Sequence, residues 1–178
     1  MIEVLIALVE PLLSMGIVSA LNGSGECRVV GTVGKLEGVE GAVRSVRPQV
    51  VVLDVQFQRD DRDLIPRLVK HDPTLKVLVL VDHSDEECAL RSLLADPDAA
   101  RFSEEALQTL DECCLTALRS SASGCVARTS DSAHLLQAIQ TVMAGGIAAA
   151  PWLAAIVGVG PTASGSKNKS RFPPGNWR

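Results

Sequence analysis

Short runs of branched apolar residues alternate along this chain with stretches whose apolar positions recur every three or four residues. Glu3–Ala7 (EVLIA), Arg28–Val33 (RVVGTV), Val50–Asp54 (VVVLD), Lys76–Val81 (KVLVLV) and Cys125–Ala127 (CVA) carry the first pattern and are predicted strands. Several are continuous apolar runs, as expected of central strands buried on both faces of a parallel sheet. Leu12, Leu13, Gly16, Ile17, Ala20 and Leu21 form one helical stripe, and Val39, Ala42, Val43 and Val46 a second. Leu64, Ile65, Leu68 and Val69 form a third, which places Pro66 in its first turn, where a missing N–H is tolerated. Ser130 or Asp131 caps a fourth helix through Leu135, Ile139 and Val142, which Gly145–Gly146 stops. Strand–helix alternation of this kind predicts right-handed crossovers and an α/β fold with a doubly wound, five-stranded parallel sheet.

Composition narrows the picture. A chain of 178 residues, 47% hydrophobic and 21% charged, suits one compact domain and excludes a wholly disordered or collagen-like chain. Aromatics are only 3%, so the core is built from Val, Leu, Ile and Ala. The net charge of −4 provides no global field toward nucleic acid. It is unevenly placed: every carboxylate lies at or before Asp131, whereas the remainder carries Lys167, Lys169, Arg171 and Arg178. The five cysteines, Cys27, Cys88, Cys113, Cys114 and Cys125, are odd in number and lack a C-x-x-C, which reads as reduced thiols in a cytoplasmic protein. The apolar start carries Glu3 and Glu10 and no basic residue, unlike a secretory signal. The uncharged run Val142–Gly160 is rich in Ala and Gly and contains Pro151, so a buried helix, a loop and a second short helix are expected rather than a membrane span.

Candidate chemistry centres on Asp54. It ends the third strand, and in open parallel sheets the carboxyl ends of strands line the ligand crevice. The charged stretch that follows, QFQRDDRD, reads as a loop. A capping or solvated acid is the plain alternative at this position.

The stretches EVLIALVEPLL, RPQVVVLD, DPTLKVLVLVDHSDEE, SASGCVARTSDSAHLLQAI and MAGGIAAAPWLAAIV, in this order, resemble the receiver domain of bacterial two-component response regulators, in particular the LuxR/FixJ-type class. The resemblance implies a receiver (flavodoxin-like) fold and a non-enzymatic role in signal transduction. In that family an acidic pair and an aspartate hold Mg²⁺, the aspartate takes a phosphoryl group from a histidine kinase, and a hydroxyl and a lysine engage it. Here Asp54 matches the phosphoacceptor, but the acidic pair falls on Leu8 and Val9, with Glu10 next to them. The hydroxyl position is Val81 and the lysine position Arg128. Leu8 and Val9 offer no side-chain oxygen to a hard cation, so Mg²⁺ binding is expected to be weak or absent. Val81 cannot hydrogen-bond a phosphoryl oxygen, and Arg128 brings a planar fork instead of a point charge. The expectation is a degenerate, phosphorylation-independent receiver linked to transcriptional control, working as a homodimer or through a partner regulator protein. Its alternatives are a conventional phosphoacceptor using Asp54 and Glu10, and a sensor whose ligand fills an apolar pocket left by Leu8, Val9 and Val81.

The receiver-like region is expected to span residues 1–157, with a helical insertion over roughly 89–114, where DEEC and ALRS recur as DECC and ALRS. The insertion is either a partner surface or a tolerated surface elaboration. Residues 158–178 read as a flexible basic tail or linker. No helix-turn-helix follows, so DNA contact would need an output domain outside this chain, which is a stand-alone receiver, a truncated product or a fragment. Gly158–Ala163 formally matches a dinucleotide fingerprint and Gly31–Lys35 part of a phosphate loop, but neither has the flanking context. His71, His83 and His134 lack metal-ligand spacing, and Cys113–Cys114 reads as buried apolar surface.

Overall fold

A computed structural model describes residues 1–82, 117, 118 and 120–148. The proposed insertion, the tail, His83 and Cys113–Cys114 lie outside them. Five strands, β1 (Ile2–Ala7), β2 (Cys27–Val33), β3 (Val50–Asp54), β4 (Lys76–Val81) and β5 (Gly124–Ala127), form one sheet in the order β2-β1-β3-β4-β5. All four pairings are parallel. Helices α1 (Pro11–Gly23), α2 (Leu36–Val46), α3 (Val55–Asp60), α4 (Leu64–His71) and α5 (Ser132–Met143) connect or flank them. The expected doubly wound sheet is therefore present, with strand ends within a residue or so of their sequence-based bounds.

The continuous apolar strands divide their side chains between two cores, as the two-residue period of a strand requires. Leu5, Val51, Leu53, Val77 and Val79 face Val39, Val43, Ile65 and Leu68 of α2 and α4. Val4, Ile6, Val52, Leu78 and Leu80 face Leu21 of α1 and Leu135, Ile139 and Val142 of α5. Pro66 sits in the first turn of α4, and Asp131 caps α5 by accepting from the His134 N–H at 2.8 Å. Gly145, at φ +86°, turns the chain after that helix, a conformation that suits glycine.

Three expectations need correction. The charged stretch after Asp54 is partly helical: α3 buries Val55, Phe57 and Gln58, and Asp54 caps it. Propensity undervalued one turn that a strand-end carboxylate and a buried Phe hold in place. Leu12, placed on the inward stripe of α1, is 84% exposed. At 100° per residue Leu13, Ile17 and Leu21 define the face toward the sheet, and Leu12, Gly16 and Ala20 lie on its flank. Cys125 is disulfide-bonded, whereas Cys27 is a buried free thiol as expected. Pairing depends on which sulfurs the fold brings to β5, and spacing along the chain does not report that.

After α5 the chain returns to the outer edge of β5. Ala148 bridges Gly124 in parallel, with Cys125 N–H donating to the Ala148 carbonyl at 2.7 Å. Ile147 packs against one core and Ala148 against the other, the alternation of a strand. A Cβ on Gly124 would stand 2.6 Å from that of Ala148, so only glycine admits this approach. Gly124→Ala is expected to cost about 1–3 kcal/mol in urea unfolding and to raise hydrogen exchange at the Cys125 amide. Unchanged exchange there would mean that the bridge does not depend on a bare backbone at 124.

Candidate functional site

The carboxyl ends of four neighbouring strands converge on one guanidinium. Asp54 is the last residue of β3 and is fully buried. Its Oδ1 accepts from Gln56 N–H at 3.0 Å, which starts α3, and its Oδ2 accepts from Val9 N–H at 3.1 Å. The site-candidate and helix-cap readings of this residue therefore both hold. Arg128, directly after β5, donates from Nη2 to Asp54 Oδ1 at 2.5 Å and from Nη1 to Glu10 Oε2. Its Nε lies 2.8 Å from Asp82 Oδ1, outside hydrogen-bond alignment, so this third contact is electrostatic. Arg59 Nη2 stands 3.8 Å from the other oxygen of Asp82. Arg128 is only 17% exposed at its side chain. Burial disfavours its charged form, yet the carboxylates of Asp54, Asp82 and Glu10 outweigh that and raise its pKa above the ordinary arginine value.

Each sequence-based candidate has a definite place here. Asp54, Glu10 and Arg128 meet directly. Leu8 and Val81 are buried among apolar neighbours and bring no polar side-chain atom. Val9 contributes its backbone N–H, where the resemblance would put a carboxylate. Asp82 and Arg59 were not singled out from the sequence. The rule that drew attention to Asp54 also applies to Asp82, because it directly follows β4.

Of the three apolar positions Leu8, Val9 and Val81, Leu8 and Val81 are packed into the core among the described residues, being 1% and 2% exposed, and Val9 is 37% exposed. Branched aliphatic side chains at strand ends pack into the core instead of leaving a void. A groove of about 260 Å³ lies beside this position, between α1 and α5, floored by Leu80 and Val126 and edged by Leu12, Gly16, Ala20 and Leu135. The small side chains of Gly16 and Ala20 open it.

The donor set does not suit Mg²⁺. That ion needs near-octahedral oxygen ligands, but the carboxylates here already face a guanidinium, and Leu8 and Val9 supply no side-chain oxygen. Among the described residues no group of three or more His, Cys, Asp or Glu side chains is arranged to hold a metal. Nor is any helix there long and apolar enough to cross a membrane.

No protein-family model matches the chain, and no curated protein matches it. Solved structures do, among them response regulators and their isolated receiver domains. The likeness to a LuxR-family two-component response regulator from Aurantimonas sp. SI85-9A1 covers 88% of this chain and 95% of that one, at 19% identity and a TM-score of 0.59. The isolated receiver domain of RcsB from Salmonella enterica serovar Typhimurium, in its apo form, matches at 17% identity and a TM-score of 0.64, over 89% of this chain and 99% of that one. RcsB from the same organism, bound to promoter rprA in the presence of phosphomimetic BeF3−, matches at 18% identity and a TM-score of 0.56, over 82% of this chain and 62% of that one. The fold is the receiver fold of two-component response regulators, with the five-stranded parallel sheet and flanking helices that the sequence pattern predicts.

The charge of Asp54 is what its neighbours are arranged around. Asp54→Asn keeps an acceptor for only one of the Val9 and Gln56 N–H groups and loses the ion pair, and is expected to lower stability by about 1–3 kcal/mol. Asp54→Ala, which orphans both N–H groups, should cost about 3–5 kcal/mol. Urea midpoints of the two variants check the order; an Asn variant as stable as wild type would remove the charge from the account.

Proposed function

We propose that this chain is a regulatory, non-enzymatic signalling domain that uses the receiver fold without phosphorylation of Asp54. It acts by contact with a second copy of itself or with another regulator protein, in the cytoplasm and in the service of transcriptional control. DNA contact belongs to an output domain outside this chain.

The observation that carries this reading is the commitment of Asp54 to Arg128. Both of its carboxylate oxygens already accept hydrogen bonds, and one of them also holds Arg128. Transfer of a phosphoryl group to a carboxylate needs cations placed to neutralise the three equatorial oxygens. Arg128 is the cation at hand, and it is committed to Asp54 and Glu10. Val81 has no hydroxyl with which to latch a phosphorylated state. The likeness to receiver domains supports the signalling role, and the filled acidic pocket supports independence from phosphate.

Intact mass after incubation with acetyl phosphate and Mg²⁺, beside an Asp54→Asn control, tests the reading. No adduct is expected on either protein. A single phosphoryl adduct on the wild type, absent from the control, would overturn it and make Asp54 a conventional phosphoacceptor.

A further inference from the structure

The end of β3 and the segments after β1 and β4 each present one carboxylate to a different nitrogen of one guanidinium, which the segment after β5 carries. Glu10, Asp54 and Asp82 have no sequence proximity; among the described residues only Arg128 joins all three. Carboxylates brought this close in a partly dry pocket repel one another unless a positive group stands among them. A divalent ion would supply that charge through a shell of oxygens that it shares with water. A guanidinium supplies it through a rigid, planar set of donors that can serve several acceptors at once. Being part of the chain, it does not dissociate and cannot be chelated. Arg59 adds a second, looser positive group at 3.8 Å from Asp82.

We propose that Arg128 is the built-in substitute for a divalent cation in this pocket and locks the ends of β1, β3 and β4 in one metal-independent arrangement. This deepens the phosphorylation-independent reading and rests on it, because the lock needs Asp54 as an unmodified carboxylate. Two consequences follow for the protein's own residues. The wild type gains nothing from divalent ions, because their place is filled. Without the guanidinium, three uncompensated carboxylates remain, and the pocket becomes one that a divalent ion stabilises.

Thermal unfolding of the wild type, Arg128→Ala and Arg128→Lys in EDTA, millimolar Mg²⁺ or millimolar Mn²⁺ tests this. The wild-type Tm is expected to be the same in all three. Arg128→Ala should melt roughly 10 °C lower in EDTA and recover part of the loss with either ion. Arg128→Lys should fall between them, because a point charge on a flexible stem cannot hold three carboxylates together. A wild-type Tm that rises with Mg²⁺ would overturn the lock, as would an Arg128→Ala variant as stable as the wild type and indifferent to metal. If Arg128→Ala fails to fold, Arg128→Ala/Asp82→Asn and Arg128→Ala/Glu10→Gln decide the matter. Each removes one repelling charge and should restore folding, and double variants no better than the single would sink the proposal. The two readings fail separately. An acetyl phosphate adduct on a metal-indifferent wild type strikes at phosphorylation independence, whereas a metal-responsive wild type without an adduct strikes at the lock alone.

Discussion

Burial of the Asp54 carboxylate is the constraint on which the rest of this pocket depends. A fully buried carboxylate is costly to remove from water and persists only when paired and hydrogen-bonded. Three donors meet that demand: two backbone N–H groups and one guanidinium. Each fixes something beyond Asp54. The Val9 N–H holds the turn out of β1, the Gln56 N–H starts α3, and Arg128 draws the exit of β5 across to the middle of the sheet. Such an arrangement is weak evidence for net stability, since a well-packed apolar replacement can match a buried pair. Its contribution is to single out one arrangement of the strand ends.

The same geometry governs the pocket's chemistry. An open acidic pocket recruits a cation from solution, and its state then depends on what is bound. Here the cation is covalently part of the chain. The apolar residues at Leu8, Val9 and Val81 fit this design: Leu8 and Val81 extend the core to the strand ends, and Val9 leaves only its N–H to the site.

Much of this was legible before the fold was known. Continuous Val and Leu runs at Val50–Asp54 and Lys76–Val81 announced buried parallel strands, because a strand covered on both faces needs apolar residues at every position. Asp54 stood out because it ends an apolar strand with a charge, and Arg128 because the resemblance to receiver domains puts it at the lysine position. The α3 turn was not legible, since QFQRDDRD has a composition that solvated loops share, and only Asp54 as a cap with Phe57 in the core makes it helical. The exposure of Leu12 was equally hidden, because a stripe of six positions is wider than the part of α1 that meets the sheet. The disulfide at Cys125 likewise depends on proximity that spacing does not encode.

The amino-acid sequence by itself determined the class of fold, the order of its strands and helices, and the chemical types available at the strand ends. Those are local properties, set by hydrophobic period, caps and strand-terminal residues. Only the tertiary structure decided that Glu10, Asp54, Asp82 and Arg128 share one pocket, and that Ala148 closes over Gly124. A parallel sheet brings together strand ends that lie tens of residues apart, and their convergence is a consequence of strand order and register. Charge balance within a pocket is a property of that convergence, so no single stretch of the chain contains it.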